Sequence, residues 1–168
     1  PTCQNTVTGT GAVLMTNEKN NIKIKSATIG RIIDKGVTDA NNMGAAMAPA
    51  AYSTIRAHFE DTGRGPEDYD AIFTGDLGAL GHDILQHLFE QDGVKLGVRY
   101  MDCGVLMYDL NTQDVHAGGS GCGCSAITLC GYLLEQLKGG KLKKVLFCGT
   151  GALLSPTSTQ QGLSIPGV

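Results

Sequence analysis

The residues of this chain that could do chemistry lie around a dense glycine run. His116 precedes the run Gly118-Gly-Ser-Gly-Cys-Gly123, and a helix-like pattern follows it directly. Glycine lets backbone N–H groups approach a ligand closely, and a helix N-terminus favours an anion. The pattern predicts a site for an anion, where the His116 imidazole could donate to a carboxylate or act as acid or base. Its loop residues are Gly118, Gly119, Ser120, Gly121 and Cys122.

Two more glycine-rich loops follow predicted strands. The first, Gly75 to Gly81, contains Asp76. The second, Gly149 to Gly151, begins directly after Cys148 and contains Thr150. In open α/β sheets, ligands bind at the carboxyl ends of the strands, so these residues are expected to line one crevice. Cys148 could expose its thiol there or be buried as a small hydrophobe. The alternative is that the glycines serve only tight turns and close packing.

The histidines outside this region are expected at surface or structural positions. His58 and His87 lie among charged neighbours on predicted helices and are expected at the surface. His82 opens a helix, where a structural role is favoured over a functional one.

Composition and charge exclude several classes of protein. The chain has 168 residues, 24 of them glycine, with 42% hydrophobic and 17% charged residues and a net charge of −3. This indicates one globular domain, and the acidic balance argues against nucleic-acid binding. The one basic cluster, Lys138 to Lys144, fits a solvated helix end, with a membrane-surface or partner contact as the alternative. Apolar runs are too short for a membrane-spanning helix. The six cysteines form no C-x-x-C pair and are expected to be reduced thiols, mostly buried.

Hydrophobic periodicity predicts the elements that position these loops. Residues 11–16 and 22–32 read as two strands of a hairpin. Apolar positions recur at helical spacing from Gly44 to Phe59, and Pro49 implies a kink or a later start. Asp70 to Thr74 and Val145 to Cys148 read as short buried strands, and helices follow the glycine loops that begin at Gly75 and Gly118. The pattern indicates an α/β fold with a mixed, partly parallel sheet.

Parts of the sequence resemble a broad family of proteins, and longer segments resemble a narrower one. Val115-His-Ala-Gly-Gly-Ser-Gly-Cys-Gly and Val145-Leu-Phe-Cys-Gly-Thr-Gly resemble the C-terminal half of thiolase-fold proteins, with His116 at the position of their loop histidine. Longer segments resemble the stage V sporulation protein AD family across the whole chain. Those segments are 39–51, 74–83, 116–125 and 155–162.

The resemblance implies a thiolase-like α/β fold. Residues 1–168 would be the C-terminal half-domain, one half of an αβαβα arrangement with a mixed five-stranded sheet flanked by helices. The N-terminal half of the fold, outside this chain, would then be its partner, and a homodimer would be expected.

The resemblance also implies a binding function without catalysis. Its ligand would be dipicolinic acid (pyridine-2,6-dicarboxylate), alone or as the calcium chelate, and its role would be uptake into the developing spore. Other proteins of the same sporulation operon, including membrane components, would be partners at the cytoplasmic side of the forespore or spore inner membrane. No cofactor is expected. Asp76 and Asp114 supply too few oxygens for calcium, which would arrive only with the ligand.

Two departures from related synthases argue against condensing chemistry. Type III ketoacyl synthases carry His-Gln-Ala-Asn where this chain has Gly75-Asp-Leu-Gly, and an Asn where it has Gly118 or Gly119. Without that His–Asn pair, the condensing oxyanion hole is absent. His116 keeps the thiolase-like position, so an acyltransferase acting on acyl-CoA is the alternative function.

Overall fold

The computed structural model describes residues 2–168, built around a three-stranded parallel sheet. Strand β2 (Ala71–Thr74) lies in the centre, between β3 (Tyr100–Asp102) and β5 (Val145–Cys148). Ile72 pairs with Tyr100 on one side and Leu146 on the other. The carboxyl ends of all three strands therefore meet at one edge, where the sequence predicts the glycine loops.

Asp70 fixes the register between β2 and β5. Its Oδ2 accepts hydrogen bonds from the backbone N–H groups of Lys143 and Lys144 at 2.6 and 2.9 Å. These bonds hold the pKa of the Asp70 carboxyl below its ordinary value. The basic cluster at this position thus contributes main-chain donors to the sheet edge as well as charged side chains.

Helices cover both faces of the sheet. Helices α1 (Met43–Thr62) and α2 (Gly78–Gln91) pack on one face with Ile72. A continuous helical stretch packs on the other with Ala71 and Phe73. That stretch consists of α4 (Cys122–Ile127), a π-helical segment (Thr128–Leu133) and α5 (Leu134–Lys138). Alternate residues of β2 enter opposite cores, as a strand buried on both faces requires. The predicted α/β class is confirmed.

Helix α1 is fixed at both ends and crosses α2 closely. The Asn42 side chain accepts from the Ala45 N–H at 3.3 Å, and Gly63 ends the helix with a φ of 62°. The helix predicted from Gly44 to Phe59 is confirmed, and it begins before Pro49. Where the two helices meet, a methyl group on Gly81 would lie 2.9 Å from the Cα of Gly44, so only glycines allow this approach.

The strands form two parallel sheets, which differs from the expected mixed five-stranded sheet. Strand β1 (Asn5–Thr6) pairs with β4 (Gly119–Ser120) and, among the described residues, with no other strand. Antiparallel pairing in residues 2–168 is confined to isolated bridges of Gly167 with Ile33 and Ala152. The sequence analysis did not predict strand β3, because this strand is three residues long and leads directly into the short helix α3 (Cys103–Leu106). The remaining helix is α6 (Pro156–Gln160).

The predicted hairpin over residues 11–32 is wrong. These residues form no strand, and the side chains of Leu14, Met15, Ile24 and Ile29 are largely exposed. Alternating apolar residues indicate a strand only where another strand supplies hydrogen bonds and a face to pack on. Neither core cluster includes these side chains. Within the described part of the chain, no helix is long and apolar enough to cross a membrane.

Gly131→Ala is expected to stabilise the protein. Gly131 lies in the helical stretch after the glycine run, and a methyl group there would meet no atom within 4 Å. Removing the backbone freedom of a helical glycine should raise the free energy of unfolding by about 0.5–1 kcal/mol, measured by urea denaturation. Gly123→Ala is the control, because its methyl group would lie 3.2 Å from the Val7 carbonyl and should destabilise. A loss of stability in Gly131→Ala would show that this glycine has a packing role.

Candidate functional site

The three glycine loops meet at the side chain of Asp76. Its Oδ1 accepts from the Thr150 hydroxyl at 3.0 Å, and its Oδ2 accepts from the Gly121 backbone N–H at 2.7 Å. The Asp76 backbone N–H donates in turn to Thr150 Oγ1 at 2.9 Å. One carboxylate therefore links the loops after β2, after β4 and after β5. We call residues 75–78, 118–123 and 149–151 the loop cluster.

Asp76 is a largely buried acid, only 8% exposed. Burial raises the pKa of its carboxyl, while the hydrogen bonds from Gly121 and Thr150 oppose that rise. Its two oxygens show that the Gly121 amide and the Thr150 hydroxyl can hold a carboxylate. In this structure, the carboxylate they hold belongs to the chain itself.

Gln4, in the N-terminal segment, links two loops of the loop cluster by hydrogen bonds. Its Nε2 donates to the Asp76 carbonyl at 2.9 Å and to the Gly119 carbonyl at 2.8 Å. The sequence analysis did not identify this residue. A lone glutamine far from both loops in the sequence carries no local signal of such a role.

Asp102 is the second residue that the sequence analysis missed, and it organises the base of the loop cluster. It is 1% exposed and stands at the end of β3, where it also caps α3. Burial raises the pKa of its carboxyl, and the surrounding hydrogen bonds act against that rise. Five donors reach its oxygens: the Thr74 hydroxyl (2.6 Å) and the backbone N–H groups of Leu77 (2.9 Å), Gly78 (3.0 Å), Gly104 (2.9 Å) and Val105 (3.2 Å).

An aromatic stack covers this network. The Tyr100 hydroxyl lies 3.1 Å from Thr74 Oγ1, and the His82 ring stacks on Tyr100 with centroids 4.4 Å apart. Burial raises the pKa of Tyr100, so its hydroxyl remains protonated. The structural role favoured for His82 agrees with this packing.

The other helix histidines differ from each other. His87 is exposed, as predicted. His58, predicted at the surface, is only 4% exposed, and its ring nitrogens lie 2.8 Å from the Thr28 hydroxyl and 2.9 Å from the Tyr69 hydroxyl. The prediction failed because the segment containing Thr28 covers this face of α1. Burial lowers the pKa of His58.

His116 lies beside the loop cluster in an unusual backbone conformation. It has a φ of 51° and is the one non-glycine residue within 2–168 with a positive φ. Its side chain is 38% exposed, and Nδ1 lies 3.6 Å from Asp114 Oδ1. The described residues include no hydrogen bond between this ring and Asp76, Gly121 or Thr150. Its role toward a ligand stays a prediction.

Two glycines of the loop cluster are required by close approach. A methyl group on Gly75 would lie 2.9 Å from Ser125 Oγ and 3.0 Å from the Thr150 backbone nitrogen. Gly118 has a φ of 105°, and a methyl group there would lie 2.5 Å from the Gly104 carbonyl oxygen. Packing therefore accounts for these two glycines, whatever the loops bind.

Comparisons with known proteins identify the family of this chain. The family model for stage V sporulation protein AD (SpoVAD) matches residues 1–168, the entire chain. The chain belongs to the SpoVAD family. Stage V sporulation protein AD of Bacillus subtilis (strain 168) is 48% identical over 165 residues, which is 98% of this chain. The match covers 48% of that relative, so the chain spans about half its length.

Three of the six thiols of this SpoVAD family member are buried, which is fewer than the sequence predicted. Cys148, at the end of β5, is buried, and burial raises its pKa to about 12. The pKa values of Cys103 and Cys124 are also raised to about 12, mainly by burial. Of the two interpretations of Cys148, the structure has the buried one. A thiol in this state is a poor nucleophile near neutral pH.

Alkylation should separate four of the six cysteines into two groups. At pH 8, iodoacetamide is expected to modify the exposed Cys122 in the native protein, while Cys103, Cys124 and Cys148 react only after unfolding. Mass spectrometry of peptides from native and urea-treated samples measures this. Modification of Cys148 at the rate of Cys122 in the native protein would contradict the burial of its thiol.

Proposed function

We propose that this chain forms part of a protein that binds dipicolinic acid and supports its uptake into the developing spore, without catalysing a reaction. The ligand is a pyridine with two carboxylates, held alone or as its calcium chelate. Two observations support the proposal: the chain belongs to the SpoVAD family, and donors of the loop cluster hold a carboxylate, that of Asp76.

The observation that carries the proposal is the loop cluster itself. Its Gly121 amide and Thr150 hydroxyl already hold a carboxylate at 2.7 and 3.0 Å. Charge-assisted hydrogen bonds from such donors are about twice as strong as neutral ones. Ser120 and Cys122 flank that amide, and the helix that begins at Cys122 adds a partial positive charge. We assign the ligand contacts to these residues together with Gly118, Gly119, His116 and Asp76.

Calcium enters this proposal only with the ligand. Residues 2–168 contain no group of three or more acidic, histidine or cysteine side chains that could hold a metal ion. Calcium takes six to eight ligands, mostly oxygens, and dipicolinate chelates it through an oxygen of each carboxylate and the ring nitrogen. The protein would therefore recognise a preformed complex.

The proposed setting requires several partners. The protein would work with other proteins of its sporulation operon, including membrane components, as a peripheral protein on the cytoplasmic side of the forespore or spore inner membrane. Within the molecule, the other half of a thiolase-like fold would complete the site, and the protein would form a homodimer.

Thermal unfolding of the intact protein with dipicolinate tests the binding proposal. At a ligand concentration about 100 times Kd, binding should stabilise the folded state by about 2.7 kcal/mol, which raises Tm. Thr150→Val removes the hydroxyl that holds a carboxylate and should weaken the response. Thr157→Val, at an exposed position on α6, should leave it unchanged. The absence of any shift at millimolar dipicolinate, with and without calcium, would refute the proposal.

A further inference from the structure

His58 joins three segments of the chain at a buried position. We call residues 26–33, which lie against α1, the strap. One ring nitrogen of His58 lies 2.8 Å from the Thr28 hydroxyl on the strap, and the other lies 2.9 Å from the Tyr69 hydroxyl just before β2. The histidine itself is 4% exposed. All three residues belong to this chain, so these contacts do not depend on the part of the protein outside it.

Few other bonds hold the strap in place. Two side-chain hydrogen bonds attach it, from Arg64 to Ser26 at 3.4 Å and from Arg31 to Ser53 at 3.2 Å. Among the described residues, main-chain hydrogen bonds of the strap are confined to Ile33. The bond to the buried histidine is therefore the attachment of the strap that can respond to pH.

The surroundings of His58 disfavour a positive charge on its ring. Burial lowers the pKa of His58 from the ordinary value of 6.5, Arg64 lowers it further, and Asp61 opposes them. The ring also faces a cleft of about 1050 Å³, and none of the described acidic residues lines that cleft. Its basic lining residues are Lys23, Lys25, Arg31, Arg64, Lys143 and Lys144. The closed strap therefore favours the neutral ring.

We infer that His58 is a pH-sensitive latch, which holds the strap against α1 while its ring is neutral and releases the strap when the ring is protonated. Both hydroxyls can accept a hydrogen bond, so protonation does not by itself break the two contacts. It does place a charge in a buried site among basic residues, and opening of the strap returns that charge to water. The inference is independent of what the loop cluster binds.

The direction of the pH effect follows from proton linkage. The pKa of His58 is lower under the closed strap than its ordinary value of 6.5, so the neutral ring stabilises the closed form above that pH. This stabilisation is lost as the pH falls below the ordinary value. Between about pH 7.5 and about pH 5.5, the open population should therefore rise by about three- to tenfold.

Trypsin cleavage of the intact protein after Arg31 measures the open strap. The rate at each pH, followed by mass spectrometry, is divided by the rate for an unstructured peptide with the sequence of residues 24–38. This relative rate corrects for the pH dependence of the protease, and it tracks the open population when opening is fast relative to cleavage. It should be about three- to tenfold higher at the lower pH. His87→Gln is the control and should behave in the same way, because it changes an exposed histidine on α2.

Two variants at the latch should change this behaviour. His58→Gln keeps a donor and an acceptor but carries no charge, so its relative rate should be the same at both pH values. Thr28→Val removes the hydroxyl on the strap and should raise the relative rate at the higher pH.

The other outcomes are also decisive. An equal relative rate at both pH values in the unaltered protein, or no cleavage at either, overturns the inference. The same pH difference in a folded His58→Gln variant overturns it too. If that variant does not fold, an unchanged rate at the higher pH in Thr28→Val overturns the inference. Binding of dipicolinate is measured separately, so none of these results bears on the proposed function.

Discussion

Asp102→Ala is expected to lower the free energy of unfolding by on the order of 4 kcal/mol, a large share of the total for one domain. The Asp102 carboxylate is 1% exposed and accepts five hydrogen bonds, four of them from backbone N–H groups. Alanine would leave those amides buried without partners, at about 1–3 kcal/mol for each group that water cannot reach. Urea denaturation followed by circular dichroism measures the loss.

Two other substitutions test whether the loss of stability comes from the hydrogen bonds of Asp102 or from the removal of a negative charge. Asp102→Asn keeps the volume and one acceptor oxygen, but its amide nitrogen faces the donors at Thr74 and Leu77, so an intermediate loss is expected. Asp109→Ala removes an exposed aspartate that caps a turn through Asn111 and Thr112 and should cost about 1 kcal/mol or less. If Asp102→Ala destabilised no more than Asp109→Ala, the amides would have other partners.

Local sequence patterns were sufficient to predict helix α1 and strands β2 and β5. The helical spacing of Met47, Ala51 and Ile55 predicted α1, since that spacing places them on one face, and all three are buried. The apolar runs of β2 and β5 are short and continuous because both faces of the central sheet are covered. The meeting of the glycine loops followed from a general rule, since parallel strands align their carboxyl ends.

Long-range contacts explain what the sequence could not reveal. The bond from Gly121 to Asp76 spans 45 residues, and the bond from Gln4 to Gly119 spans 115. Neither has a periodicity or a motif that would mark it in advance. The hairpin error has a related cause, because residues 11–32 have the composition of strands but no paired strand within the described residues. The backbone hydrogen bonds of a strand need a second segment, whereas those of a helix form within one segment.

Gly75→Ala is expected to lower the free energy of unfolding by about 1–3 kcal/mol and to weaken the response to dipicolinate. The added methyl group would collide with the Thr150 hydroxyl and would lie 3.0 Å from the Thr150 backbone nitrogen. Thr150 must then move, and its hydrogen bonds with Asp76 would be lost. Urea denaturation measures the stability change, and thermal unfolding with dipicolinate measures the change at the site.

Gly149→Ala is the matched control, because it changes a glycine in a neighbouring loop. A methyl group there would meet no atom within 4 Å, and the backbone is not in the left-handed region. Its effect on stability should remain within about 0.5 kcal/mol. Equal losses in the two variants would mean that backbone freedom in the turns is what these loops require. A loss confined to Gly75→Ala would mean that contact between Gly75 and Thr150, in the loops after β2 and β5, is what holds the Asp76 carboxylate in place.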